Sequence, residues 1–198
     1  MEKSGGDAKP AYLDFCEEVH GVRTYLFKQG RASRYLNISE PEHRLSLREF
    51  EDTDTELFRK WLCEEHVKRW YEQPAAWLDE IDKRHTEYSW IHHFIAELDG
   101  VPIGFGQFYE YSRGGEAWHG STDIDGAFSI DYLIGRPDCI GKGHGREIII
   151  ALLSKVAVQP NARLVIVRPE PENKASCAAL LSAGFQYDEH NELYRYEL

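Results

Sequence analysis

The clearest chemical signal in this sequence is a glycine-rich segment between a strand pattern and a helix pattern. Residues 140–145 read Ile140-Gly141-Lys142-Gly143-His144-Gly145. At such a junction the unpaired backbone N–H groups and the positive end of the helix dipole converge on one point, which suits an anion. Glycines at alternate positions remove the Cβ atoms that would keep a pyrophosphate away from these amides. The segment is a candidate phosphate loop, with a flexible turn as the alternative.

Two familiar nucleotide-binding motifs do not fit this loop. The Walker pattern needs Gly-x-x-x-x-Gly-Lys followed by Ser or Thr, and neither part is present. The Rossmann pattern Gly-x-Gly-x-x-Gly begins at Gly141 and Gly143, but Arg146 occupies the last glycine position. Both folds also place the loop after the first strand, whereas here it follows the fourth strand pattern. Another phosphate-bearing ligand must account for the loop.

A family resemblance covers residues 43–198. Residues 140–145 resemble the coenzyme A signature of the GNAT superfamily, and Asn173 followed by Ala183-Gly184-Phe185 resembles its second signature. The resemblance implies an α/β (α+β) fold whose mixed, mostly antiparallel sheet splays after its fourth strand and is flanked by helices. It also implies acetyl-CoA as the co-substrate. The coenzyme contacts that it implies are Leu133, Ile140, Gly141, Lys142, Gly143, His144, Gly145 and Asn173.

Within the superfamily, several short motifs of the sequence are most similar to those of aminoglycoside 6′-N-acetyltransferases. The similar stretches are Leu47-Arg48, Trp61-Leu62, Val67, Trp70-Tyr71, Pro102-Ile103-Gly104, Gln107, Ile130-Asp131 and Pro171-x-Asn173. This resemblance implies acetylation of an amine on a small cationic substrate, an activity that confers antibiotic resistance. Related siderophore acyltransferases share much of the same wording, so a hydroxylated lysine is an alternative acceptor.

Three positions depart from the family patterns. The first signature begins with Ile140 instead of Arg or Gln, although backbone amides alone can hold phosphate. Leu180 stands where many relatives have a tyrosine proposed to protonate the departing thiolate. Arg168 stands where the resistance enzymes have an aspartate, which would disfavour a polycation. These departures leave open another small amine, a peptide N-terminus, or an acyl-CoA-binding sensor without turnover.

A single carboxylate interrupts the apolar strand pattern directly before the loop. Asp131 follows Ile130 and precedes Leu133. An amine is mostly protonated near pH 7, so acyl transfer from a thioester needs a group that removes a proton. Asp131 resembles the catalytic aspartate of the aminoglycoside enzymes, with a hydrogen-bonded structural aspartate as the alternative. The backbone at Leu133 is expected to polarise the thioester carbonyl.

The candidate acceptor contacts are aromatic or polar residues suited to a cationic, hydroxylated ligand. They are Trp70, Tyr71, Gln107, Tyr109, Trp118, Asp123 and Asp125, with Glu110 and Glu116 as further carboxylates. The acidic segment 116–125 is a candidate substrate lid. Taken singly, each residue also suits an ordinary surface or core position.

Composition narrows the classes of partner. The chain has 198 residues and a formal charge of −11, which disfavours nucleic acid and slightly favours cationic ligands. Neither a membrane span nor a signal peptide is evident, so we expect a cytoplasmic protein, monomeric or homodimeric, with no membrane partner.

The four cysteines lack a CxxC pair and are expected to be reduced. The spacing of His92, His93, His119 and His144 suits no metal site.

From residue 43 the patterns predict the order β, α, α, β, β, β, α, β, α, β, β. The capping pattern from Thr53 to Glu56 predicts a helix that ends near Glu65, and Pro74 begins a second one. Residues 1–42 are predicted to be an extension of unknown role. Within it, residues 4–10 are expected to be a flexible tail, and residues 12–27 predict neither helix nor strand.

Glycines and an asparagine set the remaining boundaries. Asp99 and Gly100 are the pair preferred by a type I′ hairpin turn, which joins two predicted strands. Asn173 is placed to cap a helix that Gly184 ends. The last residues alternate around His190 and Asn191, as a final hairpin would.

Overall fold

The computed structural model describes residues 44–198 in full and the backbone of three earlier strands. These strands are β1 (Tyr12–Val19), β2 (Val22–Gln29) and β3 (Ala32–Ser39). They pair antiparallel in the order β1-β2-β3, with an irregularity between Phe15 and Glu17. The sequence pattern over residues 12–27 gave no assignment of helix or strand, and the structure places β1 and most of β2 there. The predicted flexible tail at residues 4–10 lies outside the described residues.

The chain forms two compact units, Met1–Arg44 and Leu45–Leu198. The second unit is built on a seven-stranded sheet with the order β4-β5-β6-β7-β8-β10-β9. Its strands are β4 (Leu45–Glu49), β5 (His92–Leu98), β6 (Val101–Glu110), β7 (Ala127–Ile134), β8 (Leu164–Val167), β9 (Gln186–Asp188) and β10 (Leu193–Glu197). All neighbouring strands in this sheet are antiparallel except β7 and β8. The predicted mixed, mostly antiparallel sheet is confirmed.

Five helices accompany this sheet in the described second unit. They are α1 (Thr55–Leu62), α2 (Glu65–Lys68), α3 (Pro74–Asp82), α4 (His144–Val156) and α5 (Lys174–Ser182). One core cluster joins residues of α1, α2 and α3 to Phe105 and Leu133 of the sheet. Another joins α4 and α5 to Phe108 and Ile130. Because successive strand side chains point to opposite faces, the two helix groups cover opposite faces of the sheet.

The sheet opens between β7 and β8. Their parallel pairing runs from Ala127 opposite Leu164 to Ser129 opposite Ile166 and no further. β7 continues to Ile134, still paired with β6 on its other side. The predicted splay after the fourth strand of this domain is therefore confirmed, and we call the gap the split. Alternation along β7 places Ser129, Asp131 and Leu133 on the α1–α3 face.

Most local predictions in this unit are confirmed. Asp99 and Gly100 both have positive φ, 51° and 77°, as a type I′ turn requires. Gly184, at φ 102°, follows α5 in the left-handed region. The first cap differs: Asp54 precedes α1, and the capping box joins Glu51 to Asp54 through a short 3-10 turn. The helix predicted to reach Glu65 ends at Leu62, and α2 follows separately.

Candidate functional site

The candidate phosphate loop, residues 140–145, leads into the N-terminus of α4. Gly143 is the residue before the helix, at φ 91°, and no side chain caps this helix end. Gly141 is also left-handed, at φ 74°. A Cβ atom added at Gly141 or Gly143 would meet nothing within 4 Å, so the space before the amides is open. The first helical N–H groups have no partner within the helix, which leaves them available to an anion.

Few side chains of the loop offer a polar group to an anion, so the available donors are mainly backbone amides. Ile140 is 45% exposed and contributes no polar group. The His144 ring is instead nearly buried, and its Nδ1 lies 2.7 Å from Oε2 of Glu147, one turn along α4. Lys142 is exposed at the tip. The loop thus offers amides, one ammonium and the end of a thirteen-residue helix.

The other side of the split is formed by the start of α5. Oδ1 of Asn173 accepts a hydrogen bond of 3.1 Å from the Ser176 backbone N–H, as the capping pattern predicted. The Tyr132 side chain reaches from β7 to α5, where its hydroxyl lies 2.7 Å from Oγ of Ser176. Burial is the main cause that raises the pKa of Tyr132 above its ordinary value, so the phenol is neutral at physiological pH. Leu180, in contrast, is fully buried in the core.

Asp131 lies on the α1–α3 face of β7, beside the split. The strand register places it opposite Gln107, whose Nε2 donates a 3.0 Å hydrogen bond to Oδ2 of Asp131. Burial, as the largest cause, and the nearby charge of Glu80 together raise the pKa of the Asp131 carboxyl from 3.8 to about 7, although the Gln107 hydrogen bond acts to lower it. A carboxyl with this pKa accepts protons near neutral pH, which a general base requires.

A polar row crosses the sheet through Asp131. His93 lies opposite Gln107, which in turn lies opposite Asp131. Nε2 of His93 is 3.0 Å from Oε1 of Glu80 in α3. Gln107 is only 1% exposed, and its Oε1 has no hydrogen-bond partner among the described residues. A buried carbonyl oxygen without a donor carries an energetic penalty, and a ligand or water that donates to it would remove that penalty.

Two tyrosines flank Asp131. The hydroxyl of Tyr71 donates to the backbone oxygen of Tyr132 at 3.0 Å, and the Tyr71 ring packs against Trp77. The hydroxyl of Tyr109 donates to Oε2 of Glu116 at 3.1 Å. Burial raises the pKa of both tyrosines, and the Asp131 carboxylate adds to the rise in each. Asp131, Gln107, Tyr71, Tyr109 and Glu80 together form what we call the acceptor pocket.

Other predicted acceptor contacts have different partners. Trp118 packs on Tyr111, with ring centroids 4.7 Å apart, at the edge of a third core cluster. Trp70 is stacked under the guanidinium of Arg69 at 4.4 Å. Neither contact joins these residues to the acceptor pocket, so their assignment stays a prediction.

The carboxylates of the predicted lid contact their own loop and its base. Oδ2 of Asp123 accepts from Arg163 at 3.0 Å, and Arg163 also donates to the backbone oxygen of Asp125. Glu110 accepts from Ser112. Among the predicted acidic contacts, the structure places Glu116 by Tyr109 and ties Asp123 to the start of β8.

Three residues in or beside the acceptor pocket had no role assigned from the sequence. Glu80 reads there as a polar position of a short helix, His93 as one of several histidines unsuited to metal, and Ser129 as a strand residue. They meet Asp131 only through the strand register and the packing of α3 on the sheet. The side chains of His92 and His93 were expected to point to opposite faces of the sheet. In the structure the His92 ring stacks on Phe108, whereas the His93 ring is within hydrogen-bonding distance of Glu80.

The described residues contain no group of three or more His, Cys, Asp or Glu side chains that could hold a metal ion. In the same part of the chain, Cys63, Cys139 and Cys177 are free thiols, and the Cys16 side chain lies outside it. None of the helices described is long and apolar enough to cross a membrane. Arg168, at the end of β8, is exposed and pairs with Glu192 at 3.1 Å.

Comparison with known proteins yields one consistent group. The family description "Acetyltransferase (GNAT) domain" matches residues 51–193. Aminoglycoside N(6′)-acetyltransferases type 1 of Klebsiella pneumoniae and Serratia marcescens are each 24% identical over 160 residues, covering 78% of this chain and 80% of theirs. Aminoglycoside acetyltransferase AAC(6′)-Ib in complex with coenzyme A has a similar structure, with a TM-score of 0.68, 23% identity, and coverage of 78% of this chain and 95% of that one.

A further structural match extends over nearly the whole chain. An uncharacterized protein from Bacillus halodurans matches with a TM-score of 0.65 and 16% identity, covering 96% of this chain and 92% of that one. At these identities the structural matches establish the fold.

Proposed function

Since this chain belongs to the GNAT acetyltransferase family, we propose that it transfers an acetyl group from acetyl-CoA to the amine of a small cationic molecule of the aminoglycoside type. The observation that carries the proposal is a half-buried carboxyl, Asp131, whose pKa is raised to about 7 and which lies next to the split and upstream of the candidate phosphate loop. An acyl transfer to an amine needs both parts at one place.

The coenzyme is proposed to bind along the split. Its pyrophosphate would contact the amides of residues 140–145 at the N-terminus of α4, where the open space at Gly141 and Gly143 accommodates it. Lys142 would add a positive charge, and Asn173 holds the start of α5 on the opposite side. The thioester would then lie against β7 near Leu133, where a strand amide can polarise its carbonyl.

In the proposed reaction the acceptor amine attacks the thioester carbon after losing a proton to Asp131. The new C–N bond forms, the C–S bond breaks, the thiolate leaves with the electron pair, and the second proton lost by the attacking nitrogen neutralises the thiolate. Gln107 holds the Asp131 carboxylate through the 3.0 Å hydrogen bond. Because the leaving thiolate takes up a proton, a hydroxyl in the split is useful. Tyr132, bonded to Ser176, supplies one where Leu180 carries none.

The acceptor class follows from the charges and rings around Asp131. Carboxylates of Glu80 and Glu116 act on the same pocket as Asp131, which favours a cation. The hydroxyls of Tyr71 and Tyr109, with Oε1 of Gln107, suit a ligand bearing hydroxyl and amino groups. The curated relatives are named for acetylation of aminoglycosides at the 6′ nitrogen, and antibiotic resistance would be the consequence in this protein too.

We further propose that residues 43–198 form the catalytic domain, that residues 1–42 lie outside it, and that the enzyme works in the cytoplasm as a monomer or homodimer. The match over residues 51–193 and the compact unit Leu45–Leu198 support this division.

An acceptor panel tests the proposed activity. The full-length chain is mixed with acetyl-CoA and one acceptor at a time, and free thiol is measured. The panel holds kanamycin-type sugars, polyamines, hydroxylated lysine and a peptide with a free N-terminus. We expect the fastest thiol release with the aminoglycosides. Coenzyme binding without thiol release for any acceptor would contradict the enzyme and favour an acyl-CoA sensor.

Regiochemistry is tested in the same experiment. Mass spectrometry of the product should show one added acetyl group, and an aminoglycoside that lacks the 6′ amine should not react. Preference for hydroxylated lysine over every sugar would replace the proposed acceptor with a siderophore precursor while leaving acetyl transfer intact.

A further inference from the structure

A buried carboxylate–imidazole pair lies on the same sheet face as Asp131. Oε1 of Glu80 in α3 is 3.0 Å from Nε2 of His93 in β5, and the two side chains are only 18% and 3% exposed. A carboxylate that is largely shielded from water usually has a polar partner, and here the partner is His93. Asp79, the preceding residue of α3, points to solvent instead and pairs with Lys83.

The strand register links this pair to Asp131. His93, Gln107 and Asp131 lie opposite one another on β5, β6 and β7. Because adjacent strands are about 4.8 Å apart, the row spans roughly 10 Å. Gln107 fills its middle, almost fully buried, and donates to Asp131. The contact with His93 therefore holds the Glu80 carboxylate at one end of the row whose other end is Asp131, on the same face of the sheet.

We propose that Glu80 is a positioning residue for the proposed reaction: anchored by His93, its carboxylate makes Asp131 a stronger base for the ammonium group of the acceptor. Two carboxylates in one poorly hydrated region resist being ionised together, so one of them holds its proton more tightly. The base then matches an amine better, because proton transfer is most effective when the pKa of the base lies near the working pH.

The groups around Asp131 come from four elements. Gln107 and Tyr109 face it from β6, Tyr71 from the segment before α3, Glu80 from α3, and Glu116 from the loop after β6. Of the charged groups, Glu80 acts on the pKa of Asp131 more strongly than Glu116. Glu80 also contributes to the raised pKa of Tyr71, which places its charge close to the pocket wall.

The test is a titration of the Asp131 carboxyl carbon by NMR in the full-length protein without ligands. The Asp131 signal is assigned by its loss in Asp131→Asn. In Glu80→Gln, which keeps the shape and hydrogen-bonding capacity toward His93, we expect the pKa of Asp131 to fall by about 0.5 to 1 unit. Asp79→Asn removes the same charge from the same helix at an exposed site, and should move it by less than about 0.2 unit.

An unchanged Asp131 titration in folded Glu80→Gln would overturn the proposal, as would an equal shift in Asp79→Asn. If Glu80→Gln does not fold, Glu80→Ala is titrated under the same criteria. As a further check, Glu80→Asp retains the charge and should keep the pKa of Asp131 closer to that of the wild type than either neutral variant.

The kinetic consequence rests on the proposed function and is measured separately. With an active acceptor, the acidic limb of kcat/KM against pH should move down in Glu80→Gln by the same interval as the NMR titration. If the protein releases no thiol with any acceptor, the proposed function fails while the titration still decides whether Glu80 controls the proton affinity of Asp131. A kinetic limb that stays in place while the NMR titration shifts would show that Asp131 is not the base and overturn the role proposed for Glu80 in the reaction.

Discussion

The two sides of the proposed active site differ in what builds them. The coenzyme side is largely the backbone of one continuous segment, residues 140–145, and the end of the helix that follows it. The acceptor side is made of side chains from α3, β6, β7 and the segment before α3, brought together by packing and strand register. Contacts made by backbone amides tolerate a different side chain, such as Ile140 at the start of the loop. Contacts made by side chains are lost or altered when any one of those residues is substituted.

This difference predicts where each substitution acts. Changes in the loop should alter coenzyme affinity through backbone geometry, and changes in the acceptor pocket should alter proton transfer and its pH dependence.

The largest effect is expected from Asp131→Asn. The amide keeps the size and can still accept from Gln107, but it cannot take a proton from the amine. We expect kcat to fall by about 10²- to 10⁴-fold, as for the loss of a general base, with coenzyme affinity measured by calorimetry nearly unchanged. In the wild type, kcat/KM should rise with pH through about 7, because Asp131 must be ionised to act and burial raises its pKa to that value.

Two outcomes would contradict this assignment. Asp131→Asn with wild-type turnover would make Asp131 a structural residue. If Asp131→Asn lost coenzyme binding as well as turnover, Asp131 would contribute to the coenzyme side and not to the acceptor side alone.

The next largest effect is expected on the coenzyme side, from Gly143→Ala. Gly143 has φ 91° and open space around its missing Cβ, so the cost is backbone strain and not collision. A left-handed alanine costs about 1–2 kcal/mol, and relaxation of that strain would turn the amides away from the phosphate. We expect coenzyme affinity to fall by about tenfold, measured by calorimetry.

Gly145→Ala is the matched control. Gly145 lies inside α4, and the nearest neighbour of an added Cβ is the Cβ of Ala179 at 3.7 Å, an ordinary contact. This variant should bind coenzyme almost as the wild type does. Equal loss in both variants would mean that bulk near the loop matters, and not the conformation at Gly143.

A smaller effect is expected from Gln107→Leu, which removes both a proposed acceptor contact and the hydrogen bond to Asp131, and its pH dependence reports the second loss. The Gln107 hydrogen bond lowers the pKa of Asp131, so its removal should raise that pKa above about 7. The acidic limb of kcat/KM should therefore move up by about one unit, the usual worth of a hydrogen bond to a charged group. A limb that moves down, or does not move, would show that Gln107 does not stabilise the ionised base.

The smallest effect is expected from Asp123→Asn. Its carboxylate pairs with Arg163 at an exposed site, which contributes little in water. We expect the KM for the acceptor to change by less than about twofold. A large rise in KM would restore Asp123 to the acceptor contacts that the sequence suggested, and would extend the acceptor side into the predicted lid.

The sheet and its turns could be predicted from the sequence, whereas the coenzyme and acceptor contacts stay predictions. Local signals sufficed for the turn at Asp99 and Gly100, the cap at Asn173 and the end at Gly184, because each depends on a few adjacent residues. The phosphate loop belongs to the same class. Its defining feature, glycine at alternate positions before a helix, is visible without any tertiary contact.

Glu80 and His93 were not recognisable in the sequence, because their role arises from contacts between distant positions. Thirteen positions separate them, and each is an ordinary polar residue in its own element. The strands β1–β3 could not be predicted either, because their residues show no regular alternation of apolar and polar side chains. Asp131 could be predicted as a candidate because a carboxylate is unusual in an apolar strand. Its raised pKa could not be predicted, because it depends on burial and on Glu80.

The most direct test of the central claim is a crystal structure with coenzyme A and an aminoglycoside bound together. We expect pyrophosphate oxygens at about 3 Å from the amides of residues 140–145, and the reactive amine within hydrogen-bonding distance of the Asp131 carboxylate. A coenzyme bound outside the split, or an amine held away from Asp131 while the coenzyme occupies the loop, would contradict it.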